Sequence, residues 1–275
     1  MRKLLSLLLL MPFTSMASMA FAQVDTIYTH TQVIPCDIKE ITETAAIYSY
    51  PKESFNNSAS LNTICKIKFR NGRVQKFAAQ TSFKQLSSPL EWALVSLTTV
   101  ESEIHGLYRL GDVSSKAKGT TEFSSQERVK QRALDKIKIQ AAILGGNIIF
   151  ISNMRSEGNK SGFWEDTSSE TSLMGIVYAN KLIPIEIFLQ RTANKKTFPI
   201  TTEIYLKNSN TRINHNNINN HIDIKSIREE GGMVMIDGDI PHCDQHTFRV
   251  SYLDKYSFYV AYKTRQGVFS FKMQL

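Results

Sequence analysis

An α+β, β-rich fold is predicted, and three patterns predict it. Residues 26–78 and 182–275 hold short runs in which apolar and polar residues alternate with period two, the mark of half-buried strands. Only residues 125–144 repeat apolar side chains at three- and four-residue steps, as one face of a helix requires. Gly, Asn and Asp punctuate the C-terminal runs at close spacing. The architecture expected is a signal peptide (1–22), a small N-terminal β-module (23–84), a central strand–helix–strand unit with one long helix (91–181), and a C-terminal antiparallel β-barrel or sandwich (182–275).

The opening MRKLLSLLLLMPFTSMASMAFAQ has a charged start at Arg2 and Lys3, an apolar core from Leu4 to Phe13, and a small-x-small exit at Ala20-Phe21-Ala22. This predicts a secretory signal peptide cleaved before Gln23, since the apolar run is too short to span a bilayer. No later segment has about 18 uninterrupted apolar residues, so no transmembrane segment is expected in the mature chain. The location predicted is periplasmic or extracellular. Cleavage lowers the formal charge from +8 by the two charges of Arg2 and Lys3. An exported chain without a concentrated basic segment is a poor partner for nucleic acid.

In the first module, Ile34, Cys36 and Ile38 alternate with polar residues, as do Cys65, Ile67 and Phe69. Asn71-Gly72 predicts a type I′ hairpin, in which both central residues need φ > 0. PKESFNNSASLN is expected as a polar loop. Cys36 and Cys65 both fall on apolar parity. In an oxidising compartment that suits a Cys36–Cys65 disulfide, and equally two buried thiols acting as small hydrophobes.

After a linker at 79–90, EWALVSLTTVESEI reads as a strand. Ser124 and Glu127 make a capping box. The helix behind it buries Val129, Ala133, Ile137, Ala141 and Leu144, with Arg128, Arg132 and Lys136 expected as a solvated basic row. Gly145-Gly146 stops it, and Asn147–Ser152 follows as an almost continuously apolar strand. From 182 onward the runs LIPIEIFLQ, ITTEIYLK, NNHIDIKSI, MVMIDGDI, TFRVSYLD, SFYVAYKT and VFSFKMQL all read as strands. Asp237-Gly238, Asp254-Lys255 and Gln266-Gly267 are their expected turns, and the Asn-rich NSNTRINHNNINNH reads as a polar loop.

Two resemblances follow from particular residues. Ile34, Cys36, Ile38, Glu40 and Ile41, then Ile47-Tyr48, then Ile67, Phe69, Asn71 and Gly72 resemble a β-module of uncharacterised exported proteins of Bacteroidota-type bacteria. The Asp-Gly turn that usually leads that module is replaced by Thr29-His30-Thr31-Gln32. Ala141-Ala142-Ile143-Leu144-Gly145-Gly146-Asn147, the apolar strand after it, and Met174-Gly175-Ile176-Val177-Tyr178 resemble the small YbjQ-type domain. Together these cover roughly half the chain, and they imply a fold rather than reacting groups. The metal-binding label of some relatives does not carry over, because residues 91–180 hold no cysteine and only His105.

The common catalytic and nucleotide motifs are absent: no phosphate loop, no G-x-G-x-x-G, no H-E-x-x-H, no G-x-S-x-G and no C-x-x-C. One stretch invites a site. His242, Cys243 and His246 lie within five residues, with the nitrogen and sulfur donors that zinc or copper take. His215 and His221 are the candidates to complete such a site; the alternative is an ordinary polar turn. Phe163 and Trp164 in the loop GFWE are candidate contact residues, or they fold back on the sheet. The function expected is therefore that of a non-catalytic cell-envelope protein that binds an envelope protein or glycan, with no cofactor. The alternatives are an exported hydrolase with a site assembled between domains, and a metal or envelope-stress sensor built on His242, Cys243 and His246.

Overall fold

The structure is a computed structural model that describes residues 24–29, 32–42, 45–61, 63–77, 83–119, 125–158, 168–193 and 195–275. The expected signal peptide, the capping residue Ser124, and the contact candidates Phe163 and Trp164 lie outside the described residues. Among the described residues, no helix is long and apolar enough to cross a membrane.

The chain is β-rich, with several sheets, as its alternation requires. Strands β1 (Asp25–Thr29), β2 (Val33–Ile41), β3 (Ala45–Ser49), β4 (Asn57–Ser60), β5 (Ile64–Lys68) and β6 (Val74–Lys76) form one antiparallel sheet in the order β4-β3-β2-β1-β5-β6. β4 lies inside the segment expected as a loop. Ile27, Ile34, Cys36, Tyr48, Ile64 and Ile67 fill its core. Beside them Asp25 is buried, and its carboxylate accepts from the Ile38 amide at 3.0 Å and the Arg70 amide at 2.7 Å. Burial alone would raise the pKa of this carboxyl; the bonds from Arg70 and Ile38 outweigh it and hold the group below its ordinary value.

Of the two alternatives for Cys36 and Cys65, the structure has free thiols, Cys36 buried and Cys65 half-buried. Cys36 on β2 stands opposite Asp25 of β1, and β5, which carries Cys65, pairs with the other edge of β1. Two strand spacings alone put the Cα atoms about 10 Å apart, and Cys65 lies beyond the Tyr28–Lys66 pair while Cys36 is level with Asp25, which widens the gap further; a disulfide takes roughly 5.5 Å. The turn at Asn71-Gly72 does connect β5 to β6. Only Gly72 is left-handed (φ 84°), and Lys68 pairs with Val74, so this loop is wider than the two-residue turn expected.

The region expected as a strand at 91–104 is mostly two 3-10 turns, Pro89–Leu94 and Glu101–Ile104, around a short β7 (Ser96–Thr98). Next come β8 (Tyr108–Lys118), α1 (Gln126–Ile143), β9 (Ile148–Glu157) and β10 (Glu170–Ala179). The sheet order is β7-β9-β10-β8, with β7 parallel to β9. α1 follows its apolar stripe: Val129, Ala133, Ile137 and Ala141 are fully buried and share a core with Val113, Leu173 and Val177. Gly145 ends it at φ 83°.

That core also takes Ile204, Leu206, Tyr252, Tyr259 and Val268 from the C-terminal strands. α1 is therefore covered from two directions, which changes the expected basic row. Arg128 is exposed, but Lys136 is buried, and its ammonium donates to the Asn208 carbonyl. Burial lowers its pKa. The end of α1 is held by the same strands. The Tyr252 hydroxyl donates to the Ala142 carbonyl at 2.6 Å, and Arg249 donates to the carbonyls of Leu144 and, at 2.7 Å, Leu110.

The C-terminal strands are β11 (Thr197–Lys207), β12 (Asn214–Glu230), β13 (Met233–Asp239), β14 (Thr247–Leu253), β15 (Ser257–Lys263) and β16 (Gly267–Gln274). Each pairs antiparallel with the next, and β16 returns to pair with β11, so the ladder closes on itself. Three expectations fail here. LIPIEIFLQ is not a strand: Pro184 precedes a short helix, α2 (Ile185–Thr192). The fully buried Phe188 of α2 packs edge-on against Phe258 at 5.2 Å, within the core of Phe198, Ile222, Ile236 and Met273, and so closes one end of the barrel. The Asn-rich loop is largely strand, forming the first half of β12. Asp237-Gly238 lies within β13; the β12–β13 turn is Gly231-Gly232, both left-handed at φ 58° and 80°.

Candidate functional site

The end of the barrel opposite Phe188 is open, and a bulge decides what lines it. Register shifts between Ile200 and Thr202 on β11, against both β12 and β16. An extra residue reverses the facing of everything after it. Before the bulge, Phe198 and Ile200 point into the barrel core. After it, Ile204 and Leu206 point outward into the core beneath α1. Glu203 and Tyr205 consequently point into the barrel mouth.

Cross-strand pairing then builds an aromatic row. Tyr205 stands opposite Phe269, and Phe269 opposite Tyr262. The ring centroids are 6.0 Å and 5.1 Å apart, with planes within 21° and 11° of parallel. Phe271 continues the row below Tyr262 at 5.9 Å. Side chains opposite each other on one face of a sheet are close enough to stack, and offset stacking satisfies the ring quadrupoles. Lys207 lies over the Tyr205 ring at 5.6 Å. The cleft beside these rings is about 500 Å³, with Glu203, Asp244 and Arg265 at its rim.

The turn that carries His242, Cys243 and His246 forms the facing wall. Ile240 is buried, and its carbonyl accepts from the Cys243 amide at 3.0 Å. His242 is left-handed at φ 64°. His242 and Cys243 both line the cleft, and the turn parts them from His246. Cys243 packs inward, its Sγ 3.6 Å from the Tyr262 hydroxyl. Burial, then the bond to Cys243, push the Tyr262 hydroxyl well above its ordinary pKa. His246 points outward and shares a hydrogen bond of 2.8 Å with Asp239, which also pairs with Lys225 at 2.5 Å. Lys225 first, and His246 second, hold the Asp239 carboxyl below its usual range. His221 instead lies 3.4 Å from Asp223, and His215 sits on β12 opposite the outward-facing Ile204. Among the described residues, no three His, Cys, Asp or Glu side chains are grouped to hold a metal ion. His242, Cys243 and His246, the residues of the alternative zinc or copper reading, sit on a turn that walls the cleft.

A second cleft, of about 260 Å³, lies where the C-terminal end of α1 meets the barrel, between Leu86, Ile183, Ile187 and Tyr252. Asn147 in its lining anchors a structural network: its side-chain NH2 donates to the Asn180 side-chain oxygen at 2.9 Å and to the Lys84 carbonyl at 3.0 Å, tying the segment before Pro89 to the sheet.

Glu203, Tyr205, Tyr262 and Phe269 were not singled out by sequence. Tyr262 and Phe269 could have been, since each is an aromatic on the apolar parity of a hairpin strand. Tyr205 could not, because its facing depends on the bulge. Comparison with family models, curated proteins and solved structures finds no match for this chain.

Proposed function

We propose that this chain is an exported, non-catalytic binding protein of the cell envelope, and that the open barrel mouth is its ligand site. The observation that carries the reading is the stacked row Tyr205–Phe269–Tyr262, set in a concave cleft with Glu203 and the turn of His242 to Gln245 in its lining. Ligand sites in barrels are concave, apolar-walled and oriented by a few polar groups. The leader-like residues 1–22 and the resemblance to exported modules support the envelope location.

The test is a binding screen of envelope glycan fragments and linear peptides against the purified chain, repeated with Tyr205→Ala and Tyr262→Ala. A ligand of this site loses at least tenfold in affinity with either variant, the scale of one buried aromatic contact. Unchanged affinity in both would place the site elsewhere, and turnover of the bound compound would contradict a non-catalytic role.

A further inference from the structure

We infer that the mouth takes an extended peptide, which adds as a strand to the open edge of β12. This rests on the mouth being the ligand site. β12 is unequal along its length. Asp223 to Glu230 pair with β13, whereas Asn214 to Ile222 precede that pairing and meet only β11 on their other side. Among the described residues, no backbone hydrogen bond leaves residues 214–222 for any element except β11. Near its lower end the edge is partly closed by side chains. The Asn220 amide donates to the Pro241 carbonyl at 3.2 Å, and its oxygen accepts from the His221 amide at 2.9 Å. Residues 214–219 have no such cover, and most are exposed.

An exposed edge is a template for another strand, and folded proteins ordinarily guard it with Lys, with an inward charge, with Pro or with a bulge. The stretch Asn214-His215-Asn216-Asn217-Ile218-Asn219-Asn220-His221-Ile222 contains no Lys, Asp, Glu or Pro. It is a neutral edge whose ladder to β11 shifts register once, between Asn217 and Asn220, and is regular from Asn214 to Asn217. Register places it beside the cleft: Asn214 stands opposite Tyr205, and Asn216 opposite Glu203. A strand laid along 214–219 would therefore satisfy the outward N–H and C=O groups and hang every second side chain over the aromatic row. Main-chain bonds would supply affinity and the cleft would supply selectivity, as in other strand-addition complexes. A second copy of the chain is the less fitting occupant. Its own edge would bring only Asn, His and Ile, and two such edges meeting would leave the Tyr205–Phe269–Tyr262 cleft empty.

The experiment selects linear heptapeptides from a random display library on the full chain. The tightest one is then synthesised in three forms: unmodified, N-methylated at odd positions, and N-methylated at even positions. Only alternate amides of an added strand face its partner. One methylated form is therefore expected to lose binding by tenfold or more, while the other stays within about threefold of the parent. Hydrogen exchange should slow at 214–219 on peptide binding, and without peptide should not vary with protein concentration. The inference is overturned if no peptide is selected, if both methylated forms bind like the parent, or if protection falls elsewhere. Concentration-dependent protection without peptide would assign the edge to a second copy and equally overturn it. If methylation has no effect but Tyr205→Ala still weakens the peptide, strand addition fails while the mouth remains the binding site.

Discussion

Arg249→Met should destabilise the chain by about 2–4 kcal/mol, for reasons that lie at the junction of α1 and the barrel. The Arg249 guanidinium donates to the Leu144 carbonyl, at the C-terminal end of α1, and to the Leu110 carbonyl at 2.7 Å. Burial lowers its pKa to about 10, so it is still charged at neutral pH. A helix C-terminus carries roughly half a negative charge, which a cation stabilises. Hydrogen bonds from a charged donor contribute about 1.5–3 kcal/mol each, and a buried carbonyl left without a partner costs about 1–3 kcal/mol. Two such losses sum to several kcal/mol. Relief of the buried charge offsets part of this, as methionine in place of a buried ion can be neutral or stabilising. Differential scanning calorimetry should record a fall in Tm of about 5–15 °C for a chain of this size, and hydrogen exchange should quicken in the last turn of α1. Arg249→Lys, which keeps the charge but loses the fork, should fall between. A change below about 0.5 kcal/mol in Arg249→Met would refute the reasoning, since desolvation would then cancel the clamp. The pH dependence has a definite sign. The folded pKa lies below the unfolded one, so the unfolded chain binds more protons once pH exceeds about 10, and the contribution of Arg249 improves as pH rises from there towards the ordinary arginine value.

Gly145→Ala should cost more than about 1 kcal/mol in urea unfolding, because Gly145 sits at φ 83° and a Cβ there would come within 3.0 Å of the Ser251 backbone. Wild-type stability without the glycine would show that Ser251 yields. Asp237 is held at a pKa of about 2 by Ser226, Arg228 and Thr247. Its folded pKa is depressed, so its contribution is present above the unfolded value near 4 and is lost as pH falls towards 2. Asp237→Asn should flatten the stability profile in that window, and an unaltered profile would discount the cluster. Peptide mapping under non-reducing conditions should recover no fragment linking Cys36 to Cys65, and a linked fragment would contradict the strand order β2-β1-β5. Phe188→Ala should cost about 3–5 kcal/mol by opening the closed end of the barrel, where a loss below about 1 kcal/mol would mean that α2 is not its plug.

Much of the fold is legible in sequence where the pattern is local. The stripe Val129, Ala133, Ile137 and Ala141 and the stop at Gly145 define α1 within a residue or two. The period-two runs SFYVAYK and VFSFKMQ become β15 and β16. What is not legible depends on partners distant in the chain. Asn is a poor strand former, so residues 214–220 read as a loop; pairing to β11 overrides that preference. Lys136 reads as part of a solvated row because nothing local says that a barrel will cover it. IPIEIFL alternates like a strand, yet a helix after Pro184 buries Phe188 fully, packs Ile183 and Ile185 at the edge of the core, and releases Ile187 and Leu189 to the surface. The mouth is hardest of all, since one inserted residue near Thr201 decides whether Tyr205 or Ile204 faces the cleft.

The most direct test of the binding role is a crystal structure of the full chain with its selected heptapeptide. The account predicts peptide density in the barrel mouth, in contact with Tyr205 or Tyr262 and alongside β12 at 214–219. Peptide seated instead in the cleft between Leu86 and Ile187, with nothing in the mouth, would contradict it.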